Sequence, residues 1–372
     1  MKSIFTFLKR DKVLVIALTF AIASMFIIPP SIAYFEYINW KVLVIMFTIM
    51  IAVSGIFETH FFDYIATKLV MHLKNIKWIG FMIVLATFFL AMLLTNDAVL
   101  LTLIPFTIFI TKHTHQEKHA ITLLILQTIA ANMGSALTPM GDPQNIYLYA
   151  FYDIPFSSFL SVTLPITILG FLLIMITLFI RIPSSTCELN ITTPPVDVKR
   201  LMLYLLILLN ALLNILRIVP EIYTLFITLI LMSLYGRHLL KRVDFHLLLT
   251  FIAFFIFTGN LSQMTSIQDL ISGLLNTRNS VFFFSIITSQ FISNVPAAVL
   301  LSTFTPQSLW QPLLQGVNIG SMGTIIASLA SLITFKYVIR DYPKEIKKYL
   351  IQYSILSLIF ITIIAVTVNM FF

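Results

Sequence analysis

The sequence has too few charged residues to cover the surface of a soluble protein. Asp, Glu, Lys and Arg make up only 10% of its 372 residues, whereas hydrophobic residues make up 59%. A typical soluble domain is roughly 25% charged. Because long apolar runs recur from one end of the chain to the other, no soluble domain of ordinary size is left over. The sequence therefore predicts one all-α polytopic membrane domain over residues 1–372.

Cysteine is almost absent, and acidic residues are few. Cys187 is the only cysteine, so an intramolecular disulfide is excluded. The 23 Lys and Arg residues outnumber the 15 Asp and Glu residues, which could indicate a nucleic-acid partner. The basic residues, however, lie between apolar runs, as they do in the cytoplasmic loops of membrane proteins. We therefore expect the lipid bilayer as a partner, no nucleic acid, and no cofactor other than a coupling ion.

About nine apolar runs are long enough to cross a bilayer, which takes a helix of about 20 residues. The predicted spans are 13–30, 39–58, 118–152, 156–180, 200–217, 219–236, 244–262, 308–336 and 350–371. Polar residues interrupt 118–152 and 308–336. A proline-containing polar segment, 181–199, is predicted to be a cytoplasmic linker. It separates a first repeat, 37–180, from a connecting span and a second repeat, 219–371.

Two further apolar stretches carry polar residues at their centres. Thr95-Asn96-Asp97 interrupts 78–110, and Ser293-Asn294-Val295-Pro296 interrupts 280–304. Each stretch is predicted to form a re-entrant hairpin, in which two half-length helices meet at a polar tip. Such backbone breaks are tolerated inside a membrane only where protein or a water-filled cavity covers them.

The distribution of basic residues predicts the orientation of the chain. With a cytoplasmic N-terminus, and with each hairpin returning to its starting side, all Lys and Arg residues except Lys41, Arg217 and Arg278 fall in cytoplasmic segments. An excess of positive charge inside is typical of membrane proteins. We therefore predict a multi-pass protein of the plasma or bacterial inner membrane, with its N-terminus in the cytoplasm and its C-terminus outside.

A series of motifs occurs twice, in the same order in both halves. Asn132-x-Gly134-Ser135-x-x-Thr138 matches Asn318-x-Gly320-Ser321-x-x-Thr324, Thr95-Asn96 matches Ser293-Asn294, and Gly55 matches Gly259. Because 39–58 is predicted to run inward and 244–262 outward, the two repeats are predicted to be inverted. Inverted repeats with interrupted helices are typical of transporters that work by alternating access and bind their substrate near the membrane midplane.

The residues at the breaks are predicted to bind a small ion or small-molecule substrate. Half-helix N-termini favour anions, whereas freed backbone carbonyls suit sodium. The candidates are Thr95, Asn96, Asp97, Gly134, Ser135, Thr138, Pro139, Gly141, Asp142, Pro143, Ser293, Asn294, Pro296, Asn318, Gly320, Ser321, Thr324 and Ser328. Small polar residues also pack membrane helices together, so any single one of them could serve packing instead.

Asp97 and Asp142 are the acidic residues that we predict to lie deep in the membrane. A carboxylate there must bind a cation, a proton or a hydrogen-bond donor, because an isolated charge in lipid is costly. Their counterparts in the second half are the neutral Val295 and Ser328. We therefore expect coupling to sodium or protons through Asp97, Asp142 or both, with a sodium site at Asn96, Asp97 and Thr138. A carboxylate that merely caps a half-helix is the alternative.

These motifs resemble the ion transporter superfamily, which includes citrate and dicarboxylate carriers, arsenite permeases and sodium/proton antiporters. The resemblance rests on 94–99 and 135–145 in the first half and on 293–296, 320–321 and 327–330 in the second. The resemblance covers nearly the whole chain. The sequence resembles in particular the YbiR-type inner-membrane transporters of the citrate transporter-like family. The resemblance adds Asn145 to the candidate site and implies a homodimer.

The hairpin tips of this sequence differ from those of the dicarboxylate carriers that it resembles. In dicarboxylate carriers the tips read Ser-Asn-Thr and bind sodium and the substrate carboxylate, whereas here the third position is Asp97 in one half and Val295 in the other. We expect a secondary active transporter, not an enzyme, that moves a citrate- or dicarboxylate-like anion. The Asn-Asp tip is more similar to those of sodium/proton antiporters and arsenite efflux permeases, which are the alternative. A channel or an intramembrane aspartyl protease is more remote.

Overall fold

A computed structural model of the protein describes residues 12–188 and 191–371, and this part of the chain is all helical. We number the longer helices and leave out the one-turn helix Tyr34–Tyr37 and the short 3-10 turns. They are α1 Lys12–Met25, α2 Trp40–Glu58, α3 Phe61–Val70, α4 Ile76–Leu93, α5 Asn96–His113, α6 Ala120–Ser135, α7 Pro143–Phe151, α8 Phe156–Arg181, α9 Val198–Ile215, α10 Glu221–Tyr235, α11 Phe245–Ser262, α12 Thr265–Leu274, α13 Arg278–Ile292, α14 Asn294–Ser302, α15 Trp310–Gly320, α16 Leu329–Asp341 and α17 Ile346–Phe371. The prediction of an all-α fold is confirmed.

Within residues 12–188 and 191–371, six segments are long and apolar enough to cross a membrane. They are Trp40–Glu58, Ile76–Leu93, Phe156–Arg181, Val198–Ile215, Phe245–Ser262 and Pro343–Phe371, and the bent pair α12 and α13, with 105° between its helices, could add a seventh. The protein is therefore polytopic, while the predicted count of about nine spans stays a prediction. The first predicted span, 13–30, is shorter than expected, because α1 ends at Met25, ahead of Pro29 and Pro30.

Polar residues begin several of the apolar helices. The side chains of Asn39, Asn75, Asp197 and Asp244 each accept a hydrogen bond from a backbone N–H in the first turn of α2, α4, α9 and α11. These N-H groups have no partner inside the helix, so each cap stabilises the helix start by about 1 kcal/mol. The short polar interruptions of the sequence thus set where the long helices begin.

The first hairpin consists of α4 and α5, which lie side by side. Each has 18 residues, so the prediction of two half-length helices is wrong for this hairpin. The Gln127 side chain of α6 donates to Thr87 Oγ1 of α4 at 3.2 Å and to the Leu103 carbonyl of α5 at 3.4 Å. In one continuous helix, residues 87 and 103 would be about 24 Å apart. The chain therefore reverses at its tip, between Leu93 and Asn96.

The second hairpin consists of α13 and α14, which contact each other and α15. Its tip is a single residue, Ser293, between the two helices. Ser293 has φ 75° and ψ 152°, a region that is nearly restricted to glycine and costs about 1–3 kcal/mol for other residues. The surrounding contacts must hold this residue in place.

Each half also contains an interrupted helix. The first break, residues 136–142, separates α6 from α7, and the second break, residues 321–328, separates α15 from α16. Proline favours the first break, because Pro139 and Pro143 lack the N–H that a continuous helix needs. Gly141 is also required there, since a Cβ atom at this position would lie 2.3 Å from the Ser135 carbonyl oxygen.

Within the predicted linker, 181–199, residues 185–187 pair with the start of the first hairpin. Ile76 N–H donates to the Ser185 carbonyl, and Cys187 N–H donates to the Lys74 carbonyl, both at 3.0 Å. Cys187 is buried. The backbone of the linker is thus held at the start of α4 by antiparallel pairing.

Candidate functional site

The two hairpin tips meet at Asp142, which is the last residue of the first break. Asn96 Nδ2 lies 2.8 Å from Asp142 Oδ2, and Asn294 Nδ2 lies 3.4 Å from the same oxygen. All three side chains are buried. Residues that are 198 positions apart in the sequence, Asn96 and Asn294, therefore donate to one carboxylate oxygen.

Asn132 connects this centre to the second break. Its Oδ1 accepts a hydrogen bond from Asn96 at 3.2 Å, while its Nδ2 donates to Ser328 Oγ and to the Ser321 carbonyl, both at 3.3 Å. Asn132 is in the repeated motif, but it was not among the predicted site residues. Its place in that motif was the signal that could have identified it.

The network continues from Ser328 into the last helix. Ser328 Oγ and Ser331 Oγ are 2.9 Å apart, and Ser331 Oγ is 2.6 Å from the Tyr353 hydroxyl. That hydroxyl donates to the Met322 carbonyl at 3.1 Å. Tyr353 lies on α17, where the sequence contains no motif that would have identified it.

Asn145 and Asn318 join the two interrupted helices. Asn145 Nδ2 donates to the Ser135 carbonyl at 3.1 Å and to the Thr138 carbonyl at 3.3 Å. Asn318 Nδ2 in turn donates to Asn145 Oδ1 at 2.8 Å. The carbonyls freed at the first break are therefore occupied by a side chain that the second half holds in place.

Several candidate residues attach a break to its hairpin. The Thr138 hydroxyl donates to the Met92 carbonyl, and the Thr324 hydroxyl, which is exposed, donates to the Gln290 carbonyl at 2.8 Å. Gly134 allows close packing, because a Cβ atom there would be 2.0 Å from the Phe88 carbonyl oxygen. Pro139, Pro143 and Pro296 are buried in the first turns of their helices.

The two halves form similar hydrogen bonds at corresponding positions. Thr138 and Thr324 each bind a hairpin carbonyl, as described above. Ser135 and Ser321 each donate to the carbonyl three residues earlier, at 3.1 and 2.7 Å. The Oδ1 atoms of both tip asparagines accept the next backbone N–H, at 2.8 and 3.0 Å. The repeat and its inversion stay predictions.

Asp97 lies in a different environment from Asp142. It is in the first turn of α5, and its Oδ1 is buried without a hydrogen-bond partner among the described residues. Asp97 lines a cavity of about 150 Å³, together with Thr95 of the same tip and Ser54 of α2. Asp142 is not among the lining residues, although the next residue, Pro143, is.

The polar part of the cavity wall is acidic. Besides Asp97, its charged lining residues are Asp244 and Arg242, and most of the remaining wall is apolar, with residues from α2, α5, α7 and α11. Arg242 Nη2 is 2.9 Å from Glu58 Oε1. The arginine charge is thus balanced by a carboxylate. Asp244 and Arg242 immediately precede α11, in a segment that the sequence analysis did not include in the site.

Comparison with known sequences places this architecture in a family. The sequence model described as "Citrate transporter" matches residues 3–320, which include both hairpins and the first break. The chain belongs to the citrate transporter family. The match ends at Gly320, so the second break of this family member lies beyond it.

Individual relatives agree with this assignment. An uncharacterized transporter of Methanocaldococcus jannaschii is 35% identical over 306 residues, which cover 81% of this chain and 82% of that protein. The inner membrane protein YbiR of Escherichia coli is 29% identical over 301 residues and 80% of each chain. The P protein of Mus musculus is 32% identical over 121 residues, which cover 32% of this chain and 14% of that protein. The chain is a multi-pass membrane transporter.

Proposed function

We propose that this citrate transporter family member is an ion-coupled secondary active transporter in which Asp97 binds the coupling ion. One observation carries the proposal: Asp97 lines the cavity, and its Oδ1 is buried without a hydrogen-bond partner among the described residues. A charged carboxylate without a partner is strongly destabilised in such a place. A sodium ion or a proton would satisfy it.

The position of Asp97 on a hairpin tip supports a role in coupling. An ion bound there neutralises a charge in the first hairpin, so ion binding favours some hairpin positions over others. For a sodium ion, Thr95 is better placed than Thr138, because Thr95 lines the same cavity and the Thr138 hydroxyl donates to Met92. We therefore revise the proposed sodium ligands to Asp97 and Thr95, because the Asn96 side chain is engaged with Asp142 and with the Asp97 N–H.

The predicted orientation gives this cavity a direction. Arg242 belongs to a segment that the charge distribution places in the cytoplasm, and it lines the cavity together with Asp97. With a cytoplasmic N-terminus, an extracytoplasmic C-terminus and a location in the plasma or inner membrane, Asp97 would be reached from the cytoplasm. We also propose a homodimer, which rests on the family resemblance alone.

Two cargo classes follow from different features. A citrate- or dicarboxylate-like anion is supported by the family and by the helices α5, α7 and α14, whose N-termini lie around Asp142. Sodium/proton exchange is the second candidate, because the cavity contains Asp97 and Asp244, and its arginine is paired with Glu58. An acidic cavity attracts cations and repels carboxylates.

The coupling proposal is tested with purified protein in liposomes. We expect sodium or proton gradients to drive uptake or exchange, in a panel that contains citrate, succinate, arsenite, sulfate and sodium. Asp97→Asn keeps the shape of the side chain and removes its charge, so the variant should insert normally and lose dependence on the gradient. Asp63→Asn, at an exposed carboxylate outside the cavity, serves as the control. Full gradient dependence in Asp97→Asn would show that Asp97 has no coupling role.

A further inference from the structure

The polar groups around Asp142 have the chemistry of an anion receptor. Asn96 Oδ1 and Asn294 Oδ1 each accept a backbone N–H, from Asp97 and Val295. Because these bonds fix the orientation of both amides, the two NH₂ groups point toward Asp142. Both asparagines are also the first residues of helices, where the helix dipole favours negative charge.

The chain itself supplies the anion for this receptor. Asp142 Oδ2 accepts from both NH₂ groups, and the residue is only 4% exposed. The corresponding residue of the second half, Ser328, is neutral and bonds to Asn132. Only the first break therefore provides a carboxylate, and this carboxylate lies between the two tips.

A carboxylate that is tethered in its site competes strongly with a free one. Binding of the tethered group is intramolecular, so it does not lose the translational freedom that a substrate loses. A second carboxylate that entered beside Asp142 would meet a like charge in a medium of low dielectric constant. A substrate carboxylate is thus excluded from the position between the tips.

Asp97 suits a cation, whereas the donors around Asp142 suit an anion. Its buried Oδ1 is an acceptor without a donor among the described residues, in a cavity with a second carboxylate, Asp244. We propose that Asp142 determines the substrate class of this transporter: it fills the anion site between the two tips, excludes carboxylate substrates and leaves the Asp97 cavity to bind a monovalent cation. This inference rests on the proposed function of Asp97.

The test measures ligand-induced stabilisation of the purified full-length protein. Thermal unfolding is followed in sodium chloride, choline chloride, and the choline salts of formate, acetate, succinate and citrate at matched ionic strength. A ligand that binds the folded state raises the unfolding midpoint. The wild type should respond to sodium and to none of the carboxylates.

A variant opens the occupied site. Asp142→Ser gives the first break the side chain of its counterpart Ser328 and leaves both NH₂ groups without their acceptor. We expect a lower midpoint that formate or acetate restores and chloride does not, with an apparent Kd for these anions at least about tenfold lower than in the wild type, since hydrogen bonds to a charged group are strong. Asp97→Asn should abolish the sodium response without changing the carboxylate results.

The outcomes separate this inference from the proposed function. Stabilisation of the wild type by citrate or succinate would overturn the inference even if Asp142→Ser does not fold. Equal responses of Asp142→Ser and the wild type to formate and acetate would also overturn it. Persistence of the sodium response in Asp97→Asn would instead refute the coupling role of Asp97, whatever the carboxylates do.

Discussion

The two hairpins make the same contact with their breaks, but the second is held by additional bonds. In both halves a threonine of the break donates to a hairpin carbonyl. In the second half, the Gln290 side chain also donates to the Gly320 carbonyl at 2.7 Å and accepts the Thr324 N–H at 2.8 Å. Its counterpart in the first hairpin is Met92, which has no polar group to offer.

The tip of the second hairpin is also bonded to its break more extensively than the tip of the first. Asn294 N–H donates to the Ala327 carbonyl of the second break at 2.9 Å. Among the described residues, no equivalent bond joins Asn96 to Gly141. The position after the tip asparagine is the buried Val295 in one hairpin and the cavity-lining Asp97 in the other. We infer that the second hairpin is a fixed support, and that the first is the part that responds to an ion.

The largest expected effect comes from exchanging the residues that distinguish the two tips. Asp97→Val makes the first tip like the second and should abolish accumulation against a gradient, because no charge remains for the ion to neutralise. Val295→Asp should not create a second ion site. It should destabilise the fold by about 3–5 kcal/mol, since it buries a charge without a partner. Transport in liposomes and chemical unfolding measure the two effects, and ion-coupled transport by the double variant would contradict the asymmetry.

A smaller effect is expected at the glycines that pack each break helix against its hairpin. A Cβ atom at Gly134 would lie 2.0 Å from the backbone oxygen of Phe88, whereas at Gly320 the nearest atom is Ser289 Cβ at 2.8 Å. Because backbone yields less than a side chain, Gly134→Ala should cost more than Gly320→Ala, within the roughly 1–3 kcal/mol of an overpacked core.

Gly273→Ala is the control for these glycine variants. This glycine has no heavy atom within 4 Å of an added Cβ, so the change should stabilise α12 slightly, as alanine does in helices. The unfolding midpoints of the three variants, measured in detergent, rank them by stability. If Gly320→Ala is the more damaging of the first two, the first hairpin is not packed as closely as we describe.

Gln290→Met tests what holds the second hairpin. The change removes the side-chain hydrogen bonds to the second break and gives the residue found at position 92. We expect a loss of about 1–3 kcal/mol, from two bonds of roughly 0.5–1.5 kcal/mol each. Amide hydrogen exchange in peptides covering 290–297 and 320–328 should become faster, because local opening becomes easier. Gln268→Met, at an exposed glutamine of α12, should leave the exchange unchanged.

The smallest effect is expected at a surface contact between the first hairpin and the second half. Lys112 Nζ at the end of α5 lies 3.2 Å from Asp341 Oδ1 at the end of α16. Arg340 also pairs with Asp341 at 2.7 Å, so removal of the lysine leaves no unpaired charge. Lys112→Met should therefore change stability by less than about 1 kcal/mol, and the difference should vanish in about 1 M salt. A larger, salt-independent loss would mean that this contact fixes the first hairpin to the second half, which would contradict the first hairpin's role as the part that responds to an ion.

The order of residues along the chain was enough to predict the helical fold and the positions of its interruptions. Hydropathy is a local property, and so are the effects of Pro139, Pro143 and Asn96 on helix ends, so α4 and α5 meet near the predicted tip and α6 ends near the predicted break. The early end of α1 shows the limit of this reasoning, because the run of apolar residues continues past Met25 while the helix does not.

The pairing of the polar groups, in contrast, became visible only in the packed helices. The sequence offered Asp97, Asp142 or both for ion coupling, with Asp97 in the predicted sodium site. It could not show that Asp142 is bonded to both tips or that Asp97 faces a cavity. Gln290 and Tyr353 carried no recognisable signal at all. The partner of a buried side chain depends on how helices from distant parts of the chain pack, and the spacing of residues along one helix does not specify that packing.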